Sequence, residues 1–110
     1  LKTIVVPIEG DVRVEDVSKI DLDYLSGVVG GYIEAVTLRG VKVTMYINEE
    51  GKLDGLDVNR RATQLAWAGG GIDYSDFIVG NVVLVGAPDT LGNDTGLTEW
   101  QVERFSKAFE

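Results

Sequence analysis

The 110-residue chain carries ten basic and eighteen acidic side chains, a net charge of −8 at pH 7, with 45% hydrophobic and 25% charged residues. That length and composition fit one ordinary globular domain and exclude a disordered or membrane-embedded chain. Without cysteine or histidine the chain has no disulfide, zinc–thiolate centre, thiol nucleophile or serine–histidine triad, and its acidity opposes binding to phosphate backbones and anionic lipid.

In chain order, Lys2 to Ile8 is rich in β-branched residues and predicts a strand that Pro7 confines to an edge or terminal position. After the turn at Glu9-Gly10-Asp11, the alternation of Val12 and Val14 with Arg13 and Glu15 predicts a half-buried partner strand and a hairpin. Asp21 is a helix cap, Leu22, Leu25 and Val29 recur at helical spacing, and Gly30-Gly31 supplies the stop. Tyr32 to Leu38 and Val41 to Ile47 flank Arg39-Gly40 as a second hairpin, with Val41, Val43, Met45 and Ile47 on one face.

Asn48-Glu49-Glu50-Gly51 predicts a turn. Asn59 or Asp57 caps the next helix, where Ala62, Leu65, Ala66 and Gly69 share a face and Gly69-Gly70-Gly71 ends it. Phe77 to Val85 is apolar apart from Gly80-Asn81, the pattern of a central strand with a bulge or tight turn. Gly86 to Gly96 is an exposed loop. Thr98 and Gln101 then form a capping box, Leu97 and Val102 a hydrophobic staple, and Val102, Phe105 and Phe109 a buried stripe. The order is ββαββαβα, a single α+β domain over residues 1–110 built mainly on an antiparallel sheet.

No apolar run is long enough to cross a membrane, and Leu1 to Pro7 reads as too short and too strand-like for a signal peptide, so the cytoplasm is the expected location. The glycine run at Gly69 lacks the Lys-Ser/Thr of a phosphate loop. Asp89, Asn93 and Asp94 offer oxygen ligands, but without the spacing or the bidentate Glu of a calcium loop. Asp73 and Asp76 would make a general acid only if their proximity raised one pKa. Trp67 falls off the apolar stripe of its helix and Trp100 lies in the first turn of the last one, so both are candidates for an interface.

The strings Lys2-Thr3-Ile4-Val5-Val6-Pro7, Val29-Gly30-Gly31-Tyr32-Ile33-Glu34, Asn48-Glu49-Glu50-Gly51-Lys52-Leu53, Asn59-Arg60-Arg61-Ala62-Thr63 and Ile78 to Gly86 resemble, as an ordered set, the family domain of unknown function 3846. That resemblance implies an actinobacterial or bacteriophage origin, and it implies no activity, cofactor or catalytic residue.

The expectation is therefore a non-enzymatic accessory protein, encoded by a phage, that binds a host protein in the host cytoplasm through an acidic, loop-rich face and needs no cofactor or metal. Its candidate residues are Asn48, Glu49, Glu50, Asp54, Asp57, Asn59, Arg60 and Arg61, an acidic tip backed by a basic shoulder whose complementary charge would fix a partner's register. The alternative is a nucleotide-sequestering pocket lined by Tyr32, Asn48, Asn59 and Arg60, in which Arg holds phosphate and Tyr stacks on a base. A carboxylate–magnesium enzyme ranks third. Direct nucleic-acid and membrane binding are not expected, and homo-oligomerisation is left open.

Overall fold

The structure, a computed structural model, describes residues 1–109. It holds five strands and three helices in the expected α+β order: β1 (Lys2–Val6), β2 (Arg13–Asp16), α1 (Leu22–Val29), β3 (Ile33–Leu38), β4 (Val43–Asn48), α2 (Arg60–Ala68), β5 (Val82–Gly86) and α3 (Glu99–Ala108). The strands form one antiparallel sheet in the order β2-β1-β5-β4-β3. Each hairpin supplies one half of the sheet, and β5 enters between them, so its five residues are all buried.

Because successive side chains on a strand point to opposite faces, the register divides the core in two. Ile4, Val6, Val36, Leu38, Val43, Met45, Val82 and Leu84 face α2 and α3, which contribute Ala62, Ala66 and Phe105. Val5, Val83 and Val85 face α1 through Leu25, with Tyr24, Val28, Ile33 and Tyr46 partly buried around them. On this second side the buried Thr3 hydroxyl meets the Tyr24 hydroxyl at 2.6 Å, and Tyr24 donates onward to Glu15 at 2.7 Å. Tyr46 likewise donates to Asp94, tying the 86–96 loop to the sheet. Burial raises the Tyr24 pKa to about 12, helped by the Glu15 charge, and raises that of Tyr46 by burial and the bond to Asp94.

Helix boundaries follow the local chemistry. Asp21 accepts from the Tyr24 amide, and Gly30, in the left-handed region, closes α1. Thr98 and Gln101 make the expected reciprocal capping box on α3. The expected strand from Phe77 to Val85 is shorter: β5 starts at Val82, because Gly80 has a φ of +78° and turns the chain. Upstream, Val79 forms an isolated bridge to Val58. β2 also differs from expectation, since Val14 is 45% exposed. It points to the α2/α3 side from an edge strand, where a groove lined by Val12, Val14, Ser106 and Phe109 separates it from α3. Contrary to expectation Leu22 is solvent-facing, and Tyr24 packs in its stead beside Leu25 on the inner face of α1.

Candidate functional site

Residues 48–58 join the end of β4 to α2 and fold into a compact series of turns. Asn48 Oδ1 accepts from the Glu50 amide, and backbone bonds run from Gly51 to Asn48, Asp54 to Glu50, Gly55 to Lys52 and Leu56 to Gly51. Gly51 is required by space: a Cβ there would sit 2.8 Å from Val79 Cγ2. The loop is thus anchored on Val79, while Glu49, Glu50, Asp54 and Asp57 remain exposed at its surface.

Not all the residues singled out by sequence share that surface. Asn59 is fully buried; its Nδ2 donates to the carbonyls of Val6 and Gly80, and its Oδ1 caps α2 at the Ala62 amide. Asn48 is buried as well, and its Nδ2 donates to the Val29 carbonyl. Arg61 donates to the carbonyls of Pro7 and Gly10, holding the β1–β2 turn against α2. Arg60 is exposed, as is Tyr32 at 72%. Of the four residues of the nucleotide pocket, Asn48 borders a small cavity that Tyr32, Asn59 and Arg60 do not line.

That cavity, of about 140 Å³, lies between the loop, the N-terminal half of β3 and residues 72–79. Val36, Ile47, Leu53, Ile72, Phe77 and Val79 line it, with Glu34, Glu49 and Asp76 at its margin. Lys52 pairs with Asp76 and places its ammonium 4.5 Å from the centre of the Phe77 ring, linking the loop to residues 76–77. Leu53 (88% exposed), Tyr74 and Phe77 present apolar surface among these carboxylates. The acidic tip is legible in the sequence, but the parts played by Leu53 and Phe77 are not, since only the fold brings residues 72–79 beside residues 48–58. An apolar side chain inside a turn as polar as Gly51-Lys52-Leu53-Asp54-Gly55 was the signal available.

The Asp73–Asp76 pair does not make a raised acid. The Ser75 amide and hydroxyl hold the Asp73 carboxyl below its ordinary range, and Lys52 followed by the Phe77 amide does the same for Asp76. Asp89 Oδ1 is occupied by the amides of Leu91 and Asn93, which lower its pKa. Among the described residues no group of three or more carboxylates is placed to hold a metal, and no helix is long and apolar enough to cross a membrane.

A second surface lies on the same α2/α3 side of the sheet, along α3. Trp100 is 66% exposed with the Arg104 guanidinium 5.4 Å from its ring centre, beside an open cleft floored by Val41, Leu65 and Phe105. Trp67, in contrast, donates its indole N–H to the Asp76 carbonyl and lies 6.0 Å from the Tyr74 ring, so it braces residues 74–76.

No curated protein and no solved structure matches the chain. The model of the family described as Domain of unknown function (DUF3846) matches residues 1–110, and the chain belongs to that family.

Proposed function

We propose that this DUF3846 member is a non-enzymatic binding module that engages a basic surface on a protein partner through the face built by residues 48–58 and 72–77. In this reading the protein is phage-encoded and acts on a host protein in the bacterial cytoplasm. One observation carries the binding role: Leu53 stands 88% exposed on a loop held by backbone hydrogen bonds, with Glu49, Glu50 and Asp54 around it. An apolar side chain that a rigid scaffold keeps in water, among mainly acidic neighbours whose one lysine, Lys52, is already paired with Asp76, has the anatomy of an interface anchor and its steering rim. Tyr74 and Phe77 extend the apolar surface beside it, and aromatic residues are the commonest anchors of protein interfaces.

The test is affinity capture from host lysate with the parent chain, with Glu49→Lys/Glu50→Lys and with Leu53→Ala, each checked for folding by thermal melt. The module reading expects a specific partner that both variants lose while still folded. A folded variant pair that retains every partner as strongly as the parent contradicts it.

A further inference from the structure

Resting on the reading just given, we propose how the partner is held: an extended segment adds as a sixth strand along the open edge of β3, seating one aliphatic side chain in the neighbouring cavity and flanking basic side chains on its acidic margin. The phase of the β3–β4 ladder sets up the edge. Tyr32 O accepts from the Glu49 amide, and Glu34, Val36 and Leu38 follow at the alternate positions, opposite Ile47, Met45 and Val43. Antiparallel pairs exchange backbone bonds at every second residue, so Ile33, Ala35 and Thr37 turn their N–H and C=O groups away from β4. Among the described residues no hydrogen bond reaches those groups; Gly71 packs beside the Thr37 carbonyl, where a Cβ would stand 3.3 Å from it, so the open stretch of the edge is Ile33 to Ala35.

Sheet edges are ordinarily blunted with lysine, proline or a bulge. The β3 segment Ile33-Glu34-Ala35-Val36-Thr37-Leu38 contains neither lysine nor proline, and its register with β4 runs without a bulge. The other edge, β2, is charged at Arg13, Glu15 and Asp16, and Asp16 is bridged to the N-terminal amine and Lys2. Ala35 and Thr37 are exposed, and the small Ala35 side chain leaves room for an incoming strand.

The cavity supplies the selectivity that backbone bonds lack. Val36 and Glu34 of β3 both line it, so a strand added beside them directs alternate side chains to its mouth. At about 140 Å³ it falls below the roughly 300 Å³ at which small-molecule sites begin and suits a single aliphatic side chain. Its margin carries Glu34, Glu49 and Asp76 against Lys52, which is already paired, so the complementary segment is basic. A second copy of this chain is a poor match. Two β3 strands related about Ala35 would set their Glu34 side chains diagonally on one face, where like charges repel, between molecules that each carry −8.

The experiment titrates the chain with two acetylated, amidated octapeptides of equal charge, one alternating Lys and Val and one with a central Val replaced by Pro, followed by amide NMR. The expected result is saturable binding of the alternating peptide, with shifts at Ile33 and Ala35, and at least tenfold weaker binding of the proline peptide. Ala35→Pro, which the fold tolerates because that N–H faces outward, removes a donor to the added strand and should also weaken the alternating peptide at least tenfold; the two peptides on the unaltered chain decide the question if that variant does not fold. Equal binding of the two peptides, no binding of either at millimolar concentration, or self-association through β3 in sedimentation overturns strand addition. Equal binding that Glu49→Lys/Glu50→Lys abolishes leaves the acidic face standing without the added strand, whereas edge shifts untouched by that reversal sink the acidic face instead.

Discussion

Asn59 shows how much one polar side chain holds together. Its amide joins the start of α2 to the end of β1 and to the Gly80 turn, so Asn59→Ala removes a helix cap and strands two carbonyls. A lost cap costs about 1 kcal/mol and each unsatisfied buried acceptor about 1–3 kcal/mol, so chemical denaturation should show a loss of at least about 3 kcal/mol. Asn59→Asp keeps the cap acceptor but not the two donors, and should recover little of that loss. Thr98→Ala, where only a surface cap is removed, should cost about 1 kcal/mol; an unchanged midpoint would mean the cap adds nothing. The capping role of Asn59 was legible in the sequence because it depends on neighbours three residues away. Its other two bonds were not, because they reach residues 53 and 21 positions distant.

At the scale of elements, legibility follows the same division. The caps of α1 and α3, the β3–β4 hairpin and the stop after α2 are local and appear where the residue chemistry places them. The late start of β5 depends on Leu56, whose Cδ1 would lie 2.9 Å from a Cβ on Gly80, and on the Val58–Val79 bridge. Neither contact leaves a trace in the apolar run itself. The three glycines after α2 act partly through tertiary space, since a Cβ on Gly71 would approach Leu38 Cδ2 to 2.3 Å and Val36 Cγ1 to 2.8 Å. Gly71→Ala therefore overpacks the core under β3 and should lower stability by roughly 1–3 kcal/mol. A melt indistinguishable from the parent would mean that residues 69–72 move aside freely. The acidic stretch of the candidate face was visible as composition, but the cavity beside it needed β3, β4 and residues 72–79 to converge.

The whole molecule carries its charge in a way that predicts its response to pH. Asp16, Asp21, Asp73, Asp76 and Asp89 all have lowered pKa values, through bonds to the N-terminal amine, the Tyr24 amide, Ser75, Lys52 and the Asn93 amide respectively. Their ionised forms favour the folded state, so this contribution is present above the ordinary carboxylate range near pH 4 and is lost as pH falls through it. Tyr24 and Tyr46 act at the other end. Their folded pKa values are raised, so above about pH 10 the unfolded chain ionises first and stability declines through pH 12. Thermal midpoints should therefore hold between about pH 5 and 9 and fall on both sides, and a Tyr24→Phe/Tyr46→Phe variant should lose much of the alkaline decline. If its alkaline decline matches the parent's, these hydroxyls are not its source.

The proposed binding face is the acidic one beside β3, in preference to the cleft at Trp100. Titration of the isotope-labelled chain with the alternating Lys-Val peptide, read in one amide spectrum, tests it most directly. Binding at the acidic face should shift Glu49 to Asp54, Asp76 and Phe77 together with the β3 edge, while the exposed Trp100 indole N–H stays in place. Shifts of that indole and of the α3 amides, with residues 49–54 and 76–77 unmoved, would contradict it.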